Sequence, residues 1–264
     1  MLNLLCSNFE HNQGNKALND IILLILKNYI INNKCLHNMS RILIIPARSG
    51  SKRIKNKNIK KIGGKPIISW AIRTAKKSKL FDEIHVSTDS TKIISIVEKL
   101  SLKVRFKRNK LLSGDNVPLI NVFNFIIKKY RSLGFEFDEI WYLFPCSPLI
   151  NAEDLKKASN IFKQKKITSL LAVSENSPPI QCSYKRKKGF LTRLNPNTLN
   201  KRSQDYQKTF SDTGTFGAFK KDFFRKKSKL KFFGYEIPKW RGINIDSQDD
   251  WDLVEKIFNK NFTN

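Results

Sequence analysis

Histidine is nearly missing from this chain: His11, His37 and His85 are the whole complement in 264 residues. A His-based catalytic triad or a His-rich metal site is thereby close to excluded. Cysteine is sparse too. Cys6, Cys35, Cys146 and Cys182 contain no C-x-x-C pair. Their spacing supports neither a zinc site nor a disulfide framework, and it fits a reducing, cytoplasmic setting. Cys146 and Cys182 are most simply buried small apolar groups. Acid is scarce, with 22 Asp and Glu against 50 Lys and Arg, a net charge of +28. Taken alone, that charge suggests nucleic acid or an anionic surface. The lysines are spread along the chain, however, and no recognised nucleic-acid module or concentrated basic patch with interleaved aromatics is present. Solvated lysine faces plus anionic small-molecule sites explain the charge better, so neither nucleic acid nor membrane is expected as a partner. Long apolar runs are also lacking. The run Ile21 to Leu26 stops at Lys27, too short to span a bilayer. It lacks the early basic region and small-residue cleavage site of a signal peptide.

What is there is ample for a core: 40% of the residues are hydrophobic, which sets the chain apart from a disordered one despite its charge. Residues 1–38 differ from the rest. Met1 and Met39 are the only methionines. Met39 stands just before the first expected strand and is expected to be the natural start, with 1–38 an extension outside the core. A competing reading makes Asp20 to Ile31 an amphipathic helix. Residues 39–264 are expected to form a single domain.

From Arg41 onward, apolar runs alternate with segments of helical period. Strands are expected at Arg41 to Pro46, Glu83 to Ser87, Lys103 to Phe106, Asp138 to Phe144 and Ile167 to Val173. Helices are expected from Pro66 to about Lys79, Thr91 to Leu100, Pro118 to Arg131, Asn151 to Gln164 and Asp249 to Phe258. This alternation predicts an α/β fold, a mostly parallel twisted sheet flanked by helices. Beyond Val173 the pattern changes. A hairpin of Gln181 to Lys185 with Phe190 to Arg193 marks a small β-rich insertion at about 175–215, and short strands are expected to follow near Gly214 to Phe219 and Phe232 to Ile237. The basic turn Lys185 to Lys188 reads as a solvated run, with attraction of phosphate as the alternative.

In parallel α/β sheets ligands sit beyond the carboxyl ends of the strands. Four polar clusters fall at such ends: Arg48 to Lys57, Thr88-Asp89, Pro145 to Pro148, and Asn244-Ile245-Asp246. In the first, Ser49, Gly50 and Ser51 let backbone N–H groups approach a ligand, and Arg48, Lys52 and Lys57 neutralise charge. That chemistry suits a polyphosphate. It is not a P-loop, because no Gly-Lys-Ser/Thr closes the loop directly onto a helix. Asp89 either contacts a ligand or caps its helix. Asp246 is by position either a magnesium ligand or a carboxylate at a helix N-terminus. His85, between Ile84 and Val86, faces the opposite side of its strand.

The segment Ile44-Ile45-Pro46-Ala47-Arg48-Ser49-Gly50-Ser51-Lys52-Arg53, followed by Lys57-Asn58-Ile59 and Gly64-Lys65-Pro66-Ile67, strongly resembles the N-terminal signature of acylneuraminate (CMP-sialic acid type) cytidylyltransferases. The resemblance continues through Val86-Ser87-Thr88-Asp89, Pro145-Cys146-Ser147-Pro148, Arg202-Ser203-Gln204-Asp205 and Asn244-Ile245-Asp246, covering residues 41–258. Pro179-Ile180-Gln181, Arg202 to Asp205 and Asp212-Thr213-Gly214-Thr215-Phe216 look more like the pseudaminic acid branch than the sialic acid branch. The resemblance implies a Rossmann-like nucleotidyltransferase fold. It implies that CTP and a nine-carbon 2-keto sugar acid give a CMP-sugar and pyrophosphate, with Mg²⁺, in a cytoplasmic homodimer. By the same resemblance Arg48, Ser51, Lys52 and Lys57 hold the triphosphate, and Asn58 contacts the nucleotide. Thr88 and Asp89 lie near the cytidine, Arg202 and Gln204 near the sugar acid, and Asp246 with Asn244 at the metal. Arg48, Lys57 and Asp246 carry the catalytic roles. Asn244 departs from the acid usual in the family's metal motif, and Cys146 and Phe144 depart at the Pro145 turn. Alternatives are another acid sugar, such as legionaminic acid or KDO, and a nucleic-acid- or nucleotide-binding protein without turnover.

Overall fold

The computed structural model describes residues 37–165, 167–196, 201–223 and 231–262. The expected helix from Asp20 to Ile31 lies outside them. Among the described residues, ten strands and five α-helices follow in chain order: β1 (His37–Pro46), β2 (Lys61–Ile62), β3 (Lys65–Pro66), α1 (Ile67–Ser78), β4 (Glu83–Ser87), α2 (Thr91–Lys99), α3 (Leu119–Ser132), β5 (Phe135–Leu143), α4 (Ala152–Gln164), β6 (Ser169–Glu175), β7 (Tyr184–Lys187), β8 (Phe190–Arg193), β9 (Phe210–Lys220), β10 (Phe233–Glu236) and α5 (Gln248–Phe262). The main sheet runs β10-β6-β9-β5-β1-β4. β1 is parallel to β4 and β5, and β10 is parallel to β6, while β9 runs antiparallel between β5 and β6. The fold is therefore α/β with a mainly parallel sheet, as the alternating pattern requires.

β1 is buried on both faces, which is why its sequence reads as an unbroken apolar run. Leu43 and Ile45 join the core beneath α1, α2 and α4. Ile42 and Ile44 join a second core under α3, with Phe123, Ile126 and Tyr130. Each helix owes its register to an apolar stripe and a defined start. In α1 the stripe is Ile67, Ile68, Ala71, Ile72 and Ala75. The Ser90 side chain caps α2 by accepting from Ile93 N. Asn151 and Asp154 form a reciprocal capping box at α4. A third core lies under the cleft, where Ile54, Ile245 and Cys146 pack against Trp251, Val254 and Phe258 of α5.

One expected strand is corrected. Lys103 to Phe106 is extended and alternates in burial, but it makes no ladder. Val104 packs on the first core and Phe106 on the second, and Arg105 pairs with Glu83 instead. Side-chain alternation thus marks an extended segment, not a backbone partner. β1 is longer than expected, starting at His37, which pairs with Phe135. Among the described residues no helix is long and apolar enough to cross a membrane.

His85 on β4 is buried between Phe106 and Tyr130, with ring centroids 4.5 and 5.5 Å away. Desolvation, aided by Arg108 and Arg105, pushes its pKa from 6.5 down to about 3. The unfolded chain therefore takes up a proton as pH falls below about 6.5, while the native protein resists until about pH 3. The contribution to stability is full above pH 6.5 and is lost as pH falls through that window. The slope reaches at most about 1.4 kcal/mol per pH unit. Urea midpoints should drop between pH 7 and pH 4, and His85→Leu should flatten that drop. An unchanged pH profile in the variant would remove His85 as the cause.

Candidate active site

A cleft of about 340 Å³ opens beyond the carboxyl ends of β1 and β5. Pro46 ends β1, and Arg48 turns into this cleft. Below it the loop is anchored by Ile54, which is buried in the third core. Asn58, also buried, donates from Nδ2 to the Arg48 carbonyl at 2.9 Å and closes the loop on itself. Arg48, Ser51, Lys52, Lys57 and Asn58 all line the cleft. On the opposite wall stand Cys146, Asn244 and Asp246, some two hundred residues later for the last two.

Lys57 joins the two walls. Its Nζ donates to the Ile245 carbonyl at 2.7 Å and to Asp246 Oδ1 at 3.0 Å, with 15% of the side chain exposed. Arg53 reaches the same Asp246 oxygen at 3.1 Å. Asp246 itself is held by its backbone. The Asp250 carboxylate accepts from the N–H groups of Asp246 and Ser247 at 2.9 and 2.8 Å, while Ser247 Oγ accepts from Asp250 N. This capping box starts α5 and leaves the Asp246 carboxylate directed at the cleft. Ile245 N donates to the Cys146 carbonyl at 2.9 Å, which fixes the segment against the turn after β5. The Cys146 thiol donates to Asn244 Oδ1. Burial raises that thiol to about 11, against the pull of Lys57, so it is a neutral packing and hydrogen-bonding group.

Thr88 and Asp89 stand apart from the lining. Thr88 is fully buried, and its Oγ1 accepts from Ser90 N at 3.1 Å. Asp89 accepts from Ser49 N at 2.8 Å and from Ser49 Oγ at 2.6 Å, one bond on each carboxylate oxygen. Desolvation pulls its carboxyl up, but the two Ser49 donors outweigh it and hold the group below the usual carboxylate range. Its contact is thus with the phosphate-type loop. Arg202 and Gln204 lie on an exposed turn outside the lining, where Arg202 pairs with Asp205 at 3.0 Å.

Two lining groups escaped sequence reasoning. Arg108 is buried, with Nε donating to Ser87 Oγ at 2.9 Å and Nη2 to the Ser87 carbonyl at 2.7 Å. Desolvation lowers its pKa to about 10, and it remains a cation at neutral pH. In sequence it sits inside Lys107-Arg108-Asn109-Lys110, indistinguishable from the solvated basic runs elsewhere. Asp115 is the other; its carboxylate bridges Arg48 and Lys52.

No cluster of three or more His, Cys, Asp or Glu able to hold a metal occurs among the described residues. The donor set fits Mg²⁺ only in the manner of sites with one or two carboxylates completed by substrate phosphates. Asp246 supplies such a carboxylate, its Oδ1 shared with Lys57 and Arg53, and the Asn244 oxygen is engaged by Cys146.

Comparison with known proteins places these features. The cytidylyltransferase family pattern matches residues 42–239. The pseudaminic acid cytidylyltransferase of Campylobacter jejuni subsp. jejuni serotype O:2 is 33% identical over 230 residues, covering 84% of this chain and 98% of that protein. The CMP-N,N'-diacetyllegionaminic acid synthase of Legionella pneumophila is 28% identical over 84% of this chain and 98% of its own length. In shape, the chain is similar to a CMP:2-keto-3-deoxy-manno-octonic acid synthetase solved with CTP. The TM-score is 0.62 at 15% identity, over 84% of this chain and 99% of that one, a likeness of fold. With most of its length matched by the family and by a relative at 33% identity, this chain belongs to the cytidylyltransferases.

Proposed function

We propose that the protein transfers CMP from CTP to a nine-carbon nonulosonic acid, pseudaminic acid first among candidates, releasing pyrophosphate. The observation that carries this reading is the opposition of Arg48, Ser51, Lys52 and Lys57 to Asp246 across one cleft. In the reaction the sugar's anomeric hydroxyl attacks the α-phosphate and pyrophosphate departs. Such chemistry calls for positioning and charge neutralisation, not a covalent protein group. Arg48 and Lys52 are the cations for the departing phosphates. Lys57, fixed between the two walls, orients the reacting phosphate, and Asn58 and Arg108 bound the nucleotide end. Mg²⁺, held by Asp246 and the phosphates, supplies charge neutralisation when bound. The preference for pseudaminic acid rests on the 33% identity with the Campylobacter enzyme.

Homodimerisation through the hairpin of β7 and β8 belongs to the same proposal. Its Tyr184, Phe190 and Leu191 are exposed, Phe190 at 81%.

The test is pyrophosphate release from CTP with a panel of pseudaminic, legionaminic, sialic and KDO acids. Pseudaminic acid should give the highest kcat/KM, and Asp246→Ala should lower it by about 10²–10³-fold, the size of losing one preorganised electrostatic group. Turnover of none of the four acids would overturn the proposal. Full activity of the variant would overturn the role of Asp246.

A further inference from the structure

We propose that Asp115 is the resident counter-ion of the phosphate loop, and that it speeds pyrophosphate release by retaking Arg48 and Lys52. This rests on the reading of that loop as the seat of the departing phosphates. In the free protein each Asp115 oxygen faces one cation: Oδ1 pairs with Arg48 Nη1, and Oδ2 lies 2.5 Å from Lys52 Nζ. A pyrophosphate in the same place would likewise set an anionic oxygen against each of these cations. The carboxylate therefore occupies a product's position with a group that belongs to the chain.

Exposure makes the exchange reversible. Arg48 and Asp115 are each about one-third exposed and Lys52 is 82% exposed. Solvated pairs of this kind contribute little each, so a polyphosphate bearing several charges displaces the carboxylate readily. When that ligand loosens, the tethered carboxylate competes at an effective concentration in the millimolar range. The tether is short. Asp115 lies between the turn Lys110–Leu112, capped by Asn109, and the start of α3, whose Val122 and Phe123 are buried. The Ser113 carbonyl on the same loop also accepts from Arg48 Nη1, at 3.4 Å. The Lys57–Asp246 pair of the cleft is built differently from these and from the exposed Arg53–Asp246 pair. Lys57 is only 15% exposed and is tied to the Ile245 carbonyl as well as to Asp246. Lys57 is thus fixed across the reacting centre, whereas the Asp115 pairs are exchangeable where product leaves.

The test is calorimetric titration of inorganic pyrophosphate into the full chain and into Asp115→Asn, alongside steady-state kinetics with CTP. Removing the competing carboxylate should tighten pyrophosphate by about three- to tenfold at low salt. The KM for CTP should fall with it, and kcat should fall because product leaves more slowly. Equal or weaker pyrophosphate binding in the variant would make Asp115 a group that positions the cations and would overturn the proposal alone. Tighter pyrophosphate with unchanged kcat would overturn the role in release. Absence of pyrophosphate binding to either protein would overturn both this proposal and the phosphate reading of the loop. Asp115→Ser, tested in parallel, should behave as Asp115→Asn; opposite signs in the two would likewise overturn it.

Discussion

Replacing Lys57 by alanine should lower kcat/KM for CTP-dependent pyrophosphate release by about 10³-fold, a loss of the size seen when one preorganised transition-state donor is removed. The expectation comes from its setting. Most cations among the described residues are solvated, and a solvated cation is worth little. Lys57 is 15% exposed and is held by two acceptors, the Ile245 carbonyl and Asp246, on the segment that opens α5. Its ammonium is therefore already aimed, in a partly desolvated place, before any ligand arrives. Lys52, 82% exposed, makes the contrast, and Lys52→Ala should cost only about twofold to fivefold. Lys57→Arg should recover little, because a planar fork does not reproduce a point donor between a carbonyl and a carboxylate. Steady-state kinetics with a thermal melt separate chemistry from folding. A Lys57→Ala protein that melts like wild type and turns over at a comparable rate would remove Lys57 from the machinery.

The largest effect on stability is expected from Glu139→Ala. Glu139 is buried on β5 with Arg41 of β1, whose Nε lies 2.9 Å from Oε2. Lys220 of β9 reaches Oε1 at 2.7 Å, and Trp141 Nε1 donates to Oε2 at 3.1 Å. One carboxylate thus links three adjacent strands. Truncation leaves the buried Arg41 cation opposite a second cation with nothing between them. Breaking such a pair costs about 3–5 kcal/mol, read as a lowered urea midpoint at unchanged m. Lys220, 38% exposed, can turn to water, but Arg41, at 8%, cannot. Substituting both Glu139→Leu and Arg41→Met should recover most of the loss, since an apolar pair of similar volume needs no partner charge. A Glu139→Ala midpoint within about 0.5 kcal/mol of wild type would show that water already screens the site.

The placement of Asp89 and Arg108 shows where one-dimensional reading stops. Asp89 follows a strand and precedes a helix, so a ligand contact and a cap were both open. The structure gives the cap to Ser90, and both Asp89 oxygens to Ser49. Arg108 looked like one more surface cation, yet it is buried against Ser87 at the edge of the cleft. Burial is a property of what packs over a residue. Among so many lysines and arginines, charge by itself could not single out the few that are desolvated. Lys103 to Phe106 failed for a related reason. Alternation reports which side chains face inward, whereas a strand also needs a neighbour with free backbone groups.

The chain by itself determined its layers and its phosphate-type loop. Apolar period separates strands from helices, because each element must bury one stripe or face. The run from Ile42 to Ile45, broken at Pro46 into Ser, Gly and cations, can be read without coordinates. Tertiary structure alone decided which cations count. Lys57 meets Asp246 across nearly two hundred residues because α5 packs its Trp251 and Phe258 against the core beneath the loop. Asp115 reaches Arg48 and Lys52 only because the segment before α3 passes over the end of β1. These pairings depend on distances that close when the sheet and its helices assemble, and no local pattern in the sequence encodes them.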